Sequence, residues 1–152
     1  MVDFYSQVPK DLIPNLEYRL AIRKAAQHDR DLQRACMTAC REDVLYWLNT
    51  FFWLYEPRPR IVDGITLPHK IPFITWLPQD RAILKILKHL GFDDIVVEKS
   101  RGEGASWIGV AIVLHYWIFR DMSAMGLVSR NEAAVDNPED PDSLFWKIDW
   151  EL

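Results

Sequence analysis

A β-branched run that leads directly into a glycine-containing turn and then an apolar helix constrains the fold of this chain more than any other feature. Residues 94–107 read Asp94-Ile-Val-Val-Glu-Lys-Ser-Arg-Gly-Glu-Gly-Ala-Ser106-Trp107. Ile95, Val96 and Val97 suit a buried parallel strand, and Ser106 is placed to open a helix whose first N–H groups have no intrahelical acceptor. A strand–turn–helix of this kind aims those N–H groups at an anion, so a phosphate cradle is expected here. In most such cradles a lysine directly before the Ser or Thr reaches the β- and γ-phosphates. Ala105 holds that position, and the nearby cations are Lys99 and Arg101.

The rest of the chain divides into three stretches. Residues 1–55 read as a helical segment: a short, largely solvated helix from about Leu16 to Gln27, then a longer one from Asp29 to about Leu54 that grows dense in aromatics and is stopped by Glu56-Pro-Arg-Pro. Residues 56–72, with Pro57, Pro59, Gly64, Pro68 and Pro72, read as an extended connector. In 73–152 an amphipathic helix over Gln79–Leu90 is closed by Gly91, followed by strand Asp94–Glu98, helix Ser106–Phe119 and a second parallel strand Ala124–Ser129. This is a right-handed βαβ unit. Residues 131–142 form a polar loop, and Ser143 caps a last helical turn through Trp146 and Ile148. Two parallel strands cannot bury both faces of a sheet or protect its edges, so the expected fold is unfinished and awaits strands from elsewhere. Trp146 and Trp150 are expected to be exposed and in need of a partner.

Composition narrows the class. The 152 residues are 49% hydrophobic with seven Trp and seven Phe, enough for one domain with a substantial core. The net charge of −4 gives no global attraction to a nucleic-acid backbone. Cys36 and Cys40 share a helix face and are expected as small apolar residues in a reducing, intracellular setting. The N-terminus lacks a signal-peptide pattern, and no apolar run reaches the roughly 18 residues of a membrane span. His28, His69, His89 and His115 are dispersed without metal-ligand spacing. Asp140, Asp142, Asp149 and Glu151 read as a solvated acidic tail.

Lys99-Ser-Arg-Gly-Glu-Gly-Ala-Ser106 resembles the deviant Walker A motif of the large terminase subunits of tailed phages, in which the lysine moves to the front of the loop. Asp11-Leu-Ile-Pro-Asn15, the aromatic run Trp47 to Tyr55 ending in Glu56-Pro-Arg-Pro, Pro72-Phe-Ile-Thr-Trp-Leu-Pro-Gln79 and Asp140-Pro-Asp-Ser-Leu-Phe-Trp-Lys-Ile148 are similar to the same family, so the resemblance covers nearly the whole chain. It implies an α/β fold, the first part of a P-loop ATPase core with a parallel sheet, behind an N-terminal helical segment. It also implies ATP and Mg²⁺ as ligands, and a host-cytoplasmic phage or prophage protein. The implied partners are the rest of the large subunit or other terminase and portal subunits, with DNA engaged only through the full motor. The chain is expected to stop before any Walker B strand or nuclease domain, and so not to hydrolyse ATP alone. Family loops commonly read Ser-Arg-Asp-Met-Gly-x-Ser. Gly102 and Glu103 depart from this, and Glu103 places an anion beside the expected phosphates.

The resemblance assigns the nucleotide-binding positions as Lys99, Ser100, Arg101, Gly102, Glu103, Gly104, Ala105, Ser106 and Gln79. Lys99 would compensate the β/γ-phosphate charge, unless it is a solvated lysine at a strand end. The Ser106 hydroxyl would ligate Mg²⁺, act as an N-cap, or both. Arg101 is either the loop arginine at the γ-phosphate or part of a surface ion pair with Glu98 or Glu103. Gln79 matches the family's adenine-recognising glutamine, and Trp76 could cover the adenine ring; their alternatives are a polar helix start and a core tryptophan. Two other readings stand beside this one. The first is a non-enzymatic terminase remnant that binds proteins through Trp47–Tyr55 and Trp146–Trp150. The second is a fragment of an unrelated, helicase-like P-loop protein.

Overall fold

Asp43 divides what the apolar stripe predicts as one long helix. Its backbone turns out of the helical region (φ −129°, ψ 100°), and its carboxylate accepts from the N–H groups of Leu45 and Tyr46, each at 3.0 Å. An acidic N-cap of this kind restarts a helix in a new direction. The computed structural model describes residues 4–100 and 102–152. Its helices are α1 (Leu12–Ala26), α2 (Arg30–Glu42), α3 (Val44–Phe51), α4 (Leu77–His89), α5 (Ala105–Phe119) and α6 (Leu144–Glu151). Its strands, all between α3 and α4, are β1 (Trp53–Tyr55), β2 (Arg60–Val62), β3 (Ile65–Leu67) and β4 (Lys70–Pro72).

The core forms where α3 and α5 meet. Trp47 lies 5.2 Å from Phe52, 5.3 Å from His115 and 5.9 Å from Phe119 between ring centroids. Leu48, Ile83, Val110 and Leu114 complete the fully buried interior. α1 is less solvated than its charges predict, because Arg19 and Asn15 are both buried. The Arg19 guanidinium donates to the carbonyls of Phe52 (2.8 Å), Phe73 (3.2 Å) and Leu48 (3.3 Å), and its Nε donates to Asn15 Oδ1 (2.7 Å). Burial lowers its pKa to about 10, with Glu151 acting in the opposite direction. One arginine thus satisfies carbonyls that end α3 and continue β4, groups that would be costly to bury unpaired.

Among the described residues there is no parallel sheet, which corrects the α/β, P-loop expectation. Among the described residues there are two small antiparallel pairs, β1 with β4 and β2 with β3. Asp94–Glu98 and Ala124–Ser129 run without ladder partners, and Val96 and Val128 are 95% and 90% exposed. A strand is defined by its neighbour, and α5, expected to cross over between these segments, packs instead on α2, α3 and α6. β2, β3 and β4 lie in the stretch expected as a connector, and β1 takes up residues where the second helix is expected to run on to about Leu54; that helix ends at Phe51. Asp63 (φ 51°) and Gly64 (φ 77°) form the two-residue turn of the β2–β3 hairpin, a conformation in which both central residues take positive φ.

The C-terminal tryptophans find their partner within the chain. Ser143 caps α6, its Oγ accepting from Trp146 N at 3.3 Å. Trp146 and Trp150 stack on each other at 5.3 Å, and both meet Tyr55 edge-on at 5.1 and 5.0 Å. Glu151 is no part of a solvated tail: its two oxygens each lie 3.2 Å from the Trp53 N–H that donates to the carboxylate. Among the described residues no helix is long and apolar enough to cross a membrane.

Candidate functional site

The approach to α4 is fixed by a buried polar network. Thr75 N donates to Asn49 Oδ1 (2.8 Å), Asn49 Nδ2 donates to Thr75 Oγ1 (2.8 Å), and Thr75 Oγ1 donates to Asp80 Oδ1 (2.5 Å). Tyr5 OH donates to the other Asp80 oxygen at 2.6 Å. Lys10 Nζ donates to the Thr75 carbonyl (2.6 Å), Thr75 Oγ1 (3.1 Å) and Asn49 Oδ1 (3.2 Å), and lies 3.5 Å from Asp80. Burial lowers the Lys10 pKa while Asp80 opposes that shift. Residues from the N-terminal segment, α3 and α4 are thereby locked around one threonine.

This lock places Gln79 in the first turn of α4. Its Oε1 accepts from Trp76 N at 3.2 Å, half of a capping box whose other half is missing because tryptophan has no side-chain acceptor. Its Nε2 donates to the Glu103 carbonyl at 3.1 Å, which ties α4 to the loop before α5. A primary amide has two N–H groups and two carbonyl lone pairs. One of each is engaged, so one donor and one acceptor of the amide remain available.

Gly104 stands across from this amide. It is the N-cap of α5 with φ 71° and ψ 12°, a region that disfavours a side chain, and a Cβ there would come 3.4 Å from Gln79 Nε2. Between the start of α4, β4, the hairpin and the loop lies a groove of about 750 Å³ lined by Gln79, Trp76, Gly102, Glu103 and Gly104 among others. That volume falls within the range of small-molecule sites. Its wall is apolar where Ile71 and Phe73 contribute, and Trp76, 56% exposed, stands at its edge.

The structure gathers some of the sequence-predicted residues here. Gln79, Gly102, Glu103 and Gly104 border the groove, whereas Lys99, Ser100, Ala105 and Ser106 do not. Arg101 lies outside the described residues. Lys99 is exposed and has no side-chain partner among the described residues. Ser100 Oγ donates to Glu103 Oε1 at 3.0 Å and holds that carboxylate over the loop. Ala105 and Ser106 are the first two residues of α5, so Ser106 is not its N-cap. The N–H groups of this first turn are the orphan donors of the helix. Family models, curated proteins and solved structures yield no match to the chain.

Sequence reasoning missed Arg60 and Lys10, which also border the groove. An Asp-Gly pair between Ile61-Val62 and Ile65-Thr66 is a hairpin signal that brings Arg60 back toward β4. No comparable local signal connects Lys10 to Thr75. A second groove of about 820 Å³ shares no residue with the first and is lined by the apolar sides of α1, α2 and α3, including Cys36, Met37 and Phe51. Cys40 beside it has a thiol raised to about 12 by burial, then by Cys36 and Asp43, so it stays protonated and unreactive.

Proposed function

We propose that this chain is the ATP-binding portion of a phage terminase large subunit, the subunit involved in packaging viral DNA into the procapsid. One observation carries the reading. Gln79 keeps one amide N–H and one carbonyl lone pair free at the edge of a groove whose far side is the loop of the resemblance. Adenine presents an acceptor, N7, beside a donor, the N6 amino group, and such an amide reads both together. Trp76 supplies a face for the base. The orphan N–H groups at the start of α5, which follow the groove-lining Gly104, are suited to a phosphate. The Ser106 hydroxyl, expected to ligate a nucleotide-borne Mg²⁺, lies outside the groove lining and would reach such an ion only beyond its rim.

Turnover is not expected from this chain alone. The described carboxylates around the groove are all engaged: Asp80 with Tyr5, Thr75 and Lys10, Glu56 with Arg58 at 3.1 Å, and Glu103 with Ser100. Each of the three is oriented by a protein donor. Glu103 also weakens affinity for a polyanion.

Isothermal titration with Mg-ATPγS tests the reading, with Gln79→Ala and Lys99→Ala run in parallel. Weak binding that is lost in Gln79→Ala supports it, and absence of binding to the native chain overturns it. A steady ATPase rate abolished by Lys99→Ala would show that catalysis needs no further residues.

A second reading, a non-enzymatic module that binds another terminase subunit, is favoured by the exposed apolar runs at Val96–Val97 and Val128. Of the aromatic surfaces first expected to serve it, Trp47 and Phe52 are buried and Trp146 and Trp150 pack on Tyr55, while Phe51 stays exposed. Complex formation on size-exclusion, unaffected by nucleotide, distinguishes it.

A further inference from the structure

The groove has a cation whose guanidinium is held by no hydrogen bond or ion pair among the described residues, although its charge helps to lower the Glu56 pKa. Lys10 has three ammonium protons and three close acceptors in Thr75 O, Thr75 Oγ1 and Asn49 Oδ1, so it is saturated within the protein. Arg58 is committed to Glu56, whose Oε1 lies 3.1 Å from both its backbone N and its Nε. Lys99 does not border the groove. Arg60 does, from the base of the β2–β3 hairpin where it pairs with Leu67, and its exposed guanidinium has no hydrogen-bond or ion-pair partner among the described residues.

We propose that Arg60 contacts the polyphosphate of the bound nucleotide and supplies the positive charge that Ala105 cannot. The inference rests on the reading of the groove as an adenine-nucleotide site and adds a ligand contact to it. The charge balance requires such a group. A triphosphate entering this groove meets Glu103 at the loop, and like charges at close range in a partly desolvated site repel by about 1 kcal/mol or more. The guanidinium offsets that repulsion, and its planar fork of five N–H groups matches phosphate oxygens in a bidentate way that a lysine cannot. The hairpin is well suited to carry it. The Asp63-Gly64 turn fixes the β2–β3 register, and that register sets which residue of β2 stands at the base.

The test compares two probes, Mg-ATPγS and adenosine, on the native chain, Arg60→Ala, Arg60→Lys and Gln79→Ala. Arg60 is exposed, so its variants are expected to keep the native circular-dichroism melting curve. The expected result is a loss of about ten-fold or more in Mg-ATPγS affinity for Arg60→Ala, partial recovery in Arg60→Lys and unchanged adenosine affinity in both. Gln79→Ala should weaken both probes. Unchanged Mg-ATPγS affinity in Arg60→Ala, with Gln79→Ala still defective, overturns the Arg60 contact and leaves the nucleotide site standing. An equal loss of both probes in Arg60→Ala places Arg60 at the base or in the scaffold and also overturns it. No binding of either probe to the native chain removes both inferences.

Discussion

Asn49 and Thr75 hold each other reciprocally: the Asn49 carbonyl oxygen accepts the Thr75 N–H and the Asn49 amide donates to the Thr75 hydroxyl, both at 2.8 Å and both fully shielded from solvent. This pair joins α3 to the start of α4. Asn49→Ala leaves the Thr75 N–H and one Lys10 proton without a buried acceptor. A destabilisation of about 2–4 kcal/mol in urea unfolding is expected. Thr75→Val, which keeps shape and removes the hydroxyl, should cost less than Asn49→Ala. A neutral Asn49→Ala would mean that the network does not organise this part of the fold.

Glu103 opposes anion binding next to the α5 N-terminus. Glu103→Gln removes the charge and keeps an acceptor for Ser100. Mg-ATPγS affinity should rise about five-fold, the equivalent of about 1 kcal/mol, and the gain should shrink at high salt. Titration calorimetry at two ionic strengths measures both effects.

Glu151 gives the protein a pH dependence of unusual sign for a carboxylate. Burial raises its pKa from 4.5 to about 7, against the opposing effects of the Trp53 N–H, Lys70 and Arg19. The folded state therefore holds this proton more tightly than the unfolded chain does. Its contribution is fully present below about pH 4.5 and is lost as pH rises through about 7. Allowing for partial exposure, the loss is on the order of 1–2 kcal/mol. Urea midpoints at pH 5 and pH 8 should show native protein losing stability relative to Glu151→Gln as pH rises. Parallel behaviour of the two proteins would refute the assignment.

Asp43 joins two helices that the apolar pattern merges. Asp43→Ala removes the two cap bonds to Leu45 and Tyr46 and the acceptor for Tyr5 N at 3.2 Å. A loss of about 1–2 kcal/mol in chemical denaturation is expected, with most of it recovered in Asp43→Asn.

Helices were the most legible part of the sequence, because 3.6-residue periodicity and capping residues are local signals. α4, α5 and α6 fall close to where Gln79–Leu90, Ser106–Phe119 and the Ser143 cap place them. The boundary at Asp43 was also encoded, as an acidic residue before an apolar run, but the continuous stripe on either side hid it. The strands misled for a different reason. Ile95-Val96-Val97 has the composition of a buried strand, yet pairing depends on residues elsewhere, and among the described residues it has α4 beside it and no strand. The Asp63-Gly64 hairpin had a local signal that the surrounding prolines obscured. Of the groove, the sequence disclosed Gln79 and the loop at 102–104, while the contacts of Lys10 with Thr75 and of Gln79 with Glu103 span 65 and 24 residues and have no periodicity to announce them.

The Lys10–Thr75 contact also determines when the groove can come into being. Loop closure over such a separation comes late and slowly in folding, after local helices have formed. During synthesis the wall of the groove needs residue 10 to meet residue 75, and its far side needs residue 104, so the whole span from 10 to 104 must have emerged before the groove can form. Asp80 meets its counter-charge only when Lys10, made 70 residues earlier, folds back to it, so the groove's polar wall is assembled by folding and not by synthesis.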